Sequence, residues 1–364
     1  MPELADRLAA RTLELVNIPS ESGNEARIRD RLLELVPGHL VEEYVSDAAQ
    51  LLVPARRRAR PLVTLAGHYD TVPSQGNVPG RIADGAVHGL GASDMKGGLA
   101  VALEVARDLA EDAELDVALL LFGREELPYE HDPLPALFAA SEAIHDTALA
   151  ILLEPTDGKI HAGCLGNLVV RLGFRGRSGH SARPWQADSA LVRAVRGIEP
   201  LLARKPREVV VDGLTFVESL SVTELHAGVA HNVIPGEATA TVNFRYAPDR
   251  TRSEAEATLR ALLPRDAETT VLSHAPPGRV VRDSALLAAL RAAGGGLAVE
   301  PKQAWTNVAD FTEAGIDAVN FGPGHTALAH RHDERVEIAA LVHCYETLRR
   351  FLASSPAAIG EDAP

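Results

Sequence analysis

Short apolar runs alternate with helical stretches along the first half of the chain, and this rhythm limits the fold more than any other feature. The apolar runs are Leu62–Ala66, Val117–Phe122 and Ala148–Leu153, and a helical pattern near Gly98–Leu109 separates the first two. Apolar strands that alternate with helices favour a mostly parallel sheet covered by helices on both faces. We therefore predict an α/β fold built on such a sheet.

The rhythm changes at about Gly166 and resumes after Pro276-Pro277-Gly278. Between these points the pattern predicts the order βαββαβ, which is typical of a ferredoxin-like α+β domain. The predicted elements are strand Asn167–Arg175, helix Asp188–Leu202, strands Glu218–His226 and Ala238–Tyr246, helix Ser253–Leu263 and strand Glu268–Ser273. We predict a catalytic domain made of residues 1–166 and 277–364, with residues 167–276 inserted as a smaller domain.

Composition and charge exclude several classes of protein. The 364 residues are 46% hydrophobic and 24% charged, which is ordinary for a globular chain of two domains. No apolar run reaches the roughly 18 residues that span a bilayer, and the acidic, amphipathic N-terminus is unlike a signal peptide. The net charge of −14 disfavours binding to the negatively charged backbone of a nucleic acid. We therefore expect a cytoplasmic protein that binds neither nucleic acid nor membranes.

Two smaller features have simple interpretations. Cys164 and Cys344 are the only cysteines and lie outside any C-x-x-C pattern. They are predicted to be reduced, buried thiols rather than a disulfide or a thiolate metal site. The basic cluster Arg56–Arg60 has no aromatic neighbours, and we interpret it as a solvated loop.

Imidazole and carboxylate side chains follow the predicted strands, at the end where open α/β sheets bind ligands. His68 comes shortly after the first apolar run, Glu125 and Glu126 come after the second, and Glu154 directly follows the third. Each of these residues alone would be interpreted as a solvated group at a strand end. Together they concentrate negative charge at one edge of the predicted sheet.

Asp94 adds another carboxylate from the glycine-rich loop Gly89–Gly98. Its charge would repel a pyrophosphate, and the glycine spacing does not fit a dinucleotide site. Repulsion among these carboxylates calls for cations, and carboxylates with imidazole suit zinc, manganese or cobalt. The amount of charge predicts two ions. His330 is a further candidate ligand, and spacing alone does not separate it from His332.

The motifs that contain these residues resemble those of the metallopeptidase family of aminoacylases, carboxypeptidases and acyl-amino-acid deacylases. The resemblance implies a two-domain, di-zinc amide hydrolase with a zinc-exopeptidase-like catalytic domain and an inserted lid and dimerisation domain. The motifs follow the family's order over most of the chain: His68-x-Asp70, Gly91-x-Ser93-Asp94-Met95-Lys96-Gly97, Glu125-Glu126, Glu154-Pro155, Gly179-His180-Ser181, Asn232-Val233-Ile234-Pro235, and Gly322-Pro323-Gly324 through His330.

The resemblance also implies a role for each metal ligand. Asp94 would bridge two metal ions. His68 and Glu154 would complete one ion's ligand set, and Glu126 and His330 would complete the other. The resemblance therefore selects His330 as the last ligand.

Other residues take catalytic roles by the same resemblance. Asp70 would hold His68 in its metal-binding tautomer, and Glu125 would act as the general base. His180 and Asn232 would reach into the active site of a partner subunit, which implies a homodimer. A surface or turn-capping role is the alternative for His180.

Within the family, three segments look like succinyl-diaminopimelate desuccinylase of the actinobacterial type: Gly228–Pro235, Asn243–Arg250 and Ala304–Phe311. The implied reaction is hydrolysis of N-succinyl-LL-2,6-diaminopimelate to succinate and diaminopimelate, a step toward lysine and cell-wall precursors. The alternatives are an acetylornithine or acetyl-lysine deacetylase, a metal-dependent dipeptidase or carboxypeptidase, and a metal-binding scaffold without catalysis.

That substrate carries several carboxylates, which an acidic protein must bind with well-placed arginines. Polar and apolar residues alternate along Thr239–Tyr246, and Arg245 falls on the polar face. We predict that Arg245 binds a substrate carboxylate beside Thr306, with a surface ion pair as the alternative for Arg245. Residues 127–133 and 324–327 depart from the subfamily's pattern, and both segments are expected to line the substrate pocket.

Overall fold

Long strands alternate with helices between Leu62 and Pro155, as the rhythm of the sequence predicts. The computed structural model of the chain describes residues 3–58, 60–109 and 113–354. Its first elements are α1 (Leu4–Val16), α2 (Ala26–Leu35), β1 (Leu40–Val45), β2 (Ala49–Pro54), β3 (Leu62–His68), β4 (Arg81–Ala83), β5 (Ala86–His88), α3 (Gly97–Asp108), β6 (Asp116–Phe122), α4 (Leu134–Ala140), β7 (Thr147–Pro155) and β8 (Ile160–Cys164).

A second group of elements forms a five-stranded sheet and a two-stranded sheet, β10 with β13, before the chain returns to the large sheet. This group is β9 (Gly166–Arg175), β10 (Gly179–His180), α5 (Ala190–Leu202), β11 (Arg207–Val211), β12 (Leu214–Ala227), β13 (Val233–Ile234), β14 (Glu237–Tyr246), α6 (Arg252–Leu262) and β15 (Glu268–Ala275). The returning elements are α7 (Ala285–Ala293), β16 (Val299–Lys302), α8 (Val308–Glu313), β17 (Ala318–Gly322), β18 (Arg335–Glu337) and α9 (Ile338–Leu352).

Eight strands form the large sheet, in the order β1-β2-β6-β3-β7-β17-β8-β16. Its central strands β6, β3, β7 and β17 run parallel, whereas β1 and β2 add antiparallel pairs at one edge. The predicted mostly parallel sheet is therefore confirmed. The sequence patterns did not reveal β1, because an edge strand that exposes most of its side chains contains no apolar run.

Helices cover both faces of this sheet. Every residue of β3 and of β6 is buried, which is typical of parallel strands between two helical layers. On one face, α1, α3, α7 and α9 pack their apolar residues into a common core. On the other face, α4 and α8 close a second, smaller core.

The inserted sheet has five antiparallel strands in the order β11-β12-β14-β9-β15, not the four that the sequence predicted. Helices α5 and α6 cover one face of it. On β14, Ala240, Val242 and Phe244 are buried on that face, while Asn243 and Arg245 lie on the other. The predicted alternation along this strand is therefore confirmed. We call this unit the lid.

The additional strand β11 forms a hairpin with β12. The turn is Asp212-Gly213, and both residues have positive φ, as a two-residue hairpin turn of the primed type needs. This dipeptide was a usable hairpin signal in the sequence. Val209 and Phe216 of the hairpin pack into the core of the large domain, so the lid is anchored there.

Three predictions about the rest of the chain can be compared with the structure. Cys164 and Cys344 are both buried and free, as predicted. Arg56, Arg57 and Arg58 are exposed, as a solvated loop requires. Within the ranges given above, no helix has the length and apolar character needed to cross a bilayer.

Candidate active site

The ends of three parallel strands bring the predicted ligands together. His68 is the last residue of β3, Glu126 follows β6, and Glu154 lies at the end of β7. Asp94 approaches from the loop before α3. Ligand atoms of His68, Asp94 and Glu126 all lie within 4.8 Å of one another, which is a spacing that can hold a metal ion.

The two carboxylate oxygens of Asp94 face two different histidines. Its Oδ1 lies 3.2 Å from His68 Nε2, and its Oδ2 lies 3.5 Å from His330 Nε2. Glu154 Oε1 is 3.7 Å from His68 Nε2, and Glu126 Oε1 is 2.8 Å from His330 Nε2. The side chains therefore form two sets that share Asp94, which is the arrangement that two bridged cations need.

His330 and His332 occupy different environments. His330 has a positive φ of 61° and directs its ring toward the carboxylates. The His332 side chain is 75% exposed, and its nearest carboxylate is that of the adjacent Asp333 at 4.0 Å. The geometry therefore favours His330 as the ligand.

Asp70 holds two parts of the site at once. His68 Nδ1 lies 3.1 Å from the Asp70 carbonyl oxygen and 3.4 Å from its Oδ1. The backbone N–H groups of Glu125 and Glu126 each donate to the Asp70 carboxylate at 3.2 Å, and Ser22 Oγ donates to it at 2.6 Å. A hydrogen bond on Nδ1 leaves Nε2 of His68 free to bind a cation.

Glu334 fixes the loop that carries Asp94, a role that sequence reasoning did not assign. Its carboxylate accepts backbone N–H groups from Gly91 at 2.9 Å and from Ser93 and Asp94 at 3.0 Å each. Gly91 has a φ of 77°, and the Asp94–Met95 peptide bond is cis. The only sequence signal for Glu334 was its place in the motif after His330.

Lys302 is a second group that the sequence did not reveal. Its Nζ lies 3.4 Å from Glu154 Oε2 and 3.3 Å from the Pro155 carbonyl oxygen, and the residue is 6% exposed. Lys302 thus binds the oxygen of Glu154 that faces away from His68. Because Lys302 lies on β16, far from Glu154 in sequence, no local motif could have indicated it.

The concentration of carboxylates changes the pKa values of the site. Burial, and then the charges of Glu126, Glu154 and Asp94, raise the pKa of Glu125 well above its usual range. Hydrogen bonds with Asp94 and Glu126 raise the pKa of His330 to about 11. Burial opposes ionisation of Asp94, but its hydrogen bonds with both histidines outweigh burial and lower its pKa. The same negative field attracts divalent cations.

A cavity of about 840 Å³ lies between this cluster and the open face of the lid sheet. Glu125 lines it beside the cluster, and Arg245 lines it from the lid. Arg245 forms no ion pair with any residue in the described part of the chain, which disfavours the surface ion pair considered above. Other lining residues include His161, Asn167, Val169, Ser273, Ala275, Lys302, Trp305 and Tyr129.

The remaining predicted site residues lie outside the cavity. Thr306 is 1% exposed and lies behind the wall that Ala304 and Trp305 form. His180 and Asn232 are exposed on the lid and lie close together, since the Ser181 N–H donates to the Asn232 carbonyl at 3.0 Å. The structure therefore brings these two residues together without placing them at their own chain's cluster.

Comparison with known proteins identifies the family. The sequence profile of peptidase family M20/M25/M40 matches residues 64–354. The chain belongs to this family. Its members include metal-dependent hydrolases that act on amide bonds, and the chain is such a hydrolase. The resemblance that the motifs predicted is thereby confirmed.

The most similar relatives include two actinobacterial proteins. A candidate succinyl-diaminopimelate desuccinylase from Mycobacterium tuberculosis is 38% identical over 94% of this chain and 96% of its own. A succinyl-diaminopimelate desuccinylase from Corynebacterium glutamicum is 35% identical over 94% of this chain and 95% of its own. An acetylornithine deacetylase from Myxococcus xanthus is 30% identical over 81% and 80%.

Solved structures show the same fold. An M20 family metallo-carboxypeptidase from Sulfolobus solfataricus superposes with a TM-score of 0.78 at 18% identity, over 97% of this chain and 99% of that one. A Bacillus subtilis protein described as a dinuclear metal-binding peptidase of the M20 family gives a TM-score of 0.66 at 15% identity, over 96% and 97%. The predicted fold class is therefore confirmed.

Proposed function

We propose that this chain is a desuccinylase that hydrolyses N-succinyl-LL-2,6-diaminopimelate to succinate and diaminopimelate. One observation carries the proposal: Arg245, which forms no ion pair with any described residue, faces the same cavity as the cation-binding cluster, in a chain 38% identical to a candidate desuccinylase. A guanidinium binds a carboxylate with two parallel hydrogen bonds, and this substrate offers several carboxylates. Thr306 stays a candidate neighbour that would need a small movement of the wall.

The donor set fits two divalent cations. We assign His68 and Glu154 to one ion, Glu126 and His330 to the other, and Asp94 to both. Imidazole nitrogen with carboxylate oxygen suits zinc best, with cobalt and manganese as chemically compatible ions. When bound, such ions supply the positive charge that polarises an amide carbonyl and makes water more acidic.

Glu125 is placed to move protons. It stands in the cavity beside the cluster, and burial among other carboxylates raises its pKa, so it can hold a proton between two steps. We propose that it takes a proton from the attacking water and returns it to the leaving amine. Asp70 supports this role by fixing the backbone N–H of Glu125.

A second copy of the chain would complete the site. His180 and Asn232 are exposed on the lid, and the outer face of α5 presents exposed apolar residues, including Val195 at 48% and Leu202 at 63%. β11 pairs with only residues 214–218 of β12, so the rest of that edge has no partner strand among the described residues. Exposed edges and apolar patches favour association between chains.

Mixing two inactive variants tests this arrangement. Glu125→Gln removes the base, and His180→Ala removes the residue that is proposed to act across the interface. A mixed dimer contains one site with both groups intact, so mixing after dissociation and reassociation should restore part of the activity. A mixture that stays inactive, although exchange of subunits is shown by mass spectrometry, contradicts a role for His180 in the partner's site.

The substrate assignment is tested by release of primary amine with and without a chelator. N-succinyl-diaminopimelate, N-acetylornithine, N-acetyl-lysine and simple dipeptides form the panel. We expect the highest kcat/KM for the succinylated compound and loss of activity with chelator. Chelator-sensitive hydrolysis of another panel member alone would reassign the substrate, and no hydrolysis of any would favour a scaffold.

Acetylornithine deacetylase is the second candidate, because the cavity wall differs from the subfamily's pattern. Both segments that differ from the subfamily's pattern contribute to the cavity lining. Segment 127–133 contributes Leu127, Pro128 and Tyr129, and segment 324–327 contributes Thr326. A changed wall can change the acyl group that fits. The panel above distinguishes the two candidates directly.

A further inference from the structure

Segment 127–133, which differs from the subfamily's pattern, connects the two domains through some of its residues. The backbone N–H of Tyr129 donates to Ser273 Oγ at 3.2 Å, and the N–H of His274 donates to Glu130 Oε1 at 3.1 Å. Ser273 and His274 belong to β15 of the lid, whereas Tyr129 and Glu130 follow strand β6 of the large sheet. The segment is therefore bound to the edge strand of the lid sheet.

The side chain of Tyr129 is held from three directions. Its hydroxyl donates to Asp310 Oδ1 at 2.7 Å, and Asn307 Nδ2 donates to Asp310 Oδ2 at 2.9 Å. The Arg252 guanidinium lies 5.0 Å from the centre of the tyrosine ring, and the Trp305 ring meets it edge-on at 5.5 Å. These contacts fix the ring, which lines the cavity together with Trp305.

The register of the lid sheet relates Tyr129 to Arg245. Ser273, to which Tyr129 is bound, lies opposite Val169 on β9. Asn167, two residues along β9, lies opposite Arg245 on β14. Because two strand spacings separate β15 from β14, the backbone positions of Ser273 and Arg245 lie roughly 10 Å apart or somewhat more, with their side chains on the same face of the sheet.

The wall between these groups changes from cationic to apolar. Arg245 lies on β14, Val169 lies on the middle strand β9, and Tyr129, which is bound to Ser273 of β15, contacts Trp305. All of these residues line the cavity. A ligand whose carboxylate is bound by Arg245 can lay an alkyl chain over Val169 toward the two rings. Apolar chain and aromatic face then lose contact with water together.

We propose that Tyr129 is a specificity-determining residue. With Trp305 it packs against the alkyl chain of a substrate whose carboxylate is bound by Arg245. It thereby selects long dicarboxylic or amino-dicarboxylic chains over short ones. The inference rests on the proposed function in one respect, the binding of a substrate carboxylate by Arg245.

Binding of simple dicarboxylates tests this inference without requiring hydrolysis. Trp305 and Trp185 are the only tryptophans, so Trp185→Phe leaves Trp305 as a reporter inside the cavity. Zinc-loaded protein is titrated with succinate and with the longer pimelate, by fluorescence and by calorimetry. Tyr129→Leu should weaken pimelate binding about tenfold, a usual effect of lost apolar contact, and change succinate binding little. Arg245→Gln should weaken both.

Two conservative variants separate contact with the ligand from structural support. Tyr129→Phe keeps the ring and should bind pimelate like the parent protein, with a lower Tm. Tyr345→Phe is its matched control, because Tyr345 also donates to an aspartate, Asp108, at 2.6 Å but on α9. It should lower Tm by a similar amount and leave both ligands unaffected.

Kinetics with the substrate that the panel identifies provide a second measurement. Tyr129→Leu should raise KM about tenfold while kcat stays within about twofold, because the lost contact is uniform binding. Unchanged pimelate affinity in folded Tyr129→Leu overturns the inference, as does an equal loss for succinate. A panel without desuccinylase activity rejects the proposed function and leaves the dicarboxylate comparison able to decide this inference.

Discussion

The two ends of the cavity are built in different ways. At the metal end, His68, Glu126 and Glu154 stand at the ends of neighbouring strands of one buried sheet. The opposite wall, which we call the lid wall, consists of Arg245 from β14 of the lid together with Tyr129 and Trp305. The last two residues come from segments of the large domain that are distant from each other in sequence. The grouping of residues at the metal end is a property of parallel strands, whereas the lid wall forms only when the two domains pack together.

The difference also appears in how the side chains are supported. Asp70 accepts hydrogen bonds from the backbone N–H groups of Glu125 and Glu126, and Glu334 accepts one from that of Asp94, so the segments that carry candidate ligands are held without a substrate. On the lid wall, Arg245 has no ionic partner within the part of the chain that the structure describes. The side chains of the metal end are therefore held in place before a substrate binds, whereas the Arg245 guanidinium on the lid wall stays available to bind a ligand. Four variants test this division.

The largest effect is expected from Glu125→Gln. Loss of a general base should lower kcat by about 10³-fold or more, while both ions stay bound because Glu125 is not assigned as a ligand. Steady-state kinetics with metal analysis by mass spectrometry measures both quantities. Glu142→Gln, an exposed site outside the cavity, is the control and should behave like the parent. Near-normal turnover in Glu125→Gln would remove this residue from the mechanism.

His330→Ala should have the next largest effect. Removal of a proposed direct ligand should lower the binding affinity for one ion by at least about 10²-fold. This exceeds the loss of about 10–100-fold that is typical when a group that only supports a ligand is removed. Equilibrium dialysis should then find one tightly bound ion instead of two. His332→Ala is the matched control, since its side chain is 75% exposed, and should bind both ions normally. The reverse result would exchange the two assignments.

Asp70→Asn tests the support of the metal end. The amide lacks the carboxylate charge and has one accepting oxygen fewer for His68 Nδ1 and for the backbone N–H groups of Glu125 and Glu126, so metal affinity should fall about 10–100-fold. Zinc competition with a chromophoric chelator measures this change. Ser22→Ala removes only one hydrogen bond to Asp70 and should give a smaller loss. Equal affinity in Asp70→Asn and the parent would show that the metal end needs no such support.

Arg245→Met tests the lid wall and is expected to have the smallest effect. Loss of a charge-assisted hydrogen bond should raise KM about tenfold or somewhat more, with bound metal unchanged. Kinetics and metal analysis on the same sample separate the two ends of the cavity. Arg175→Met is the control, because Arg175 lies on the same lid sheet but pairs with Glu237 at 2.8 Å in solvent. Loss of metal in Arg245→Met would contradict the proposed division.

Much of the metal end could be predicted from the sequence. The strands are continuous apolar runs, and His68, Glu126 and Glu154 each stand at or shortly after the end of one, so strand order and side-chain type suffice to indicate a cation site. Spacing along the chain does not separate His330 from His332 without the family resemblance. The fold of the loop before β18 decides between them, because it places His330 against Asp94 and Glu126 and leaves His332 beside Asp333.

The tertiary structure decided the features whose partners are far apart in sequence. Lys302 meets Glu154, and Glu334 meets the backbone around Asp94, only after the sheet has formed. Tyr129 lines the cavity from a segment whose backbone is bound by β15 of the lid and whose ring is bound by Asp310. Local patterns record which face of a strand or helix is apolar, whereas such contacts depend on domain packing that no local pattern contains. The sequence by itself thus determined the fold class and the chemistry, and the tertiary structure decided the cavity wall that faces the candidate metal site.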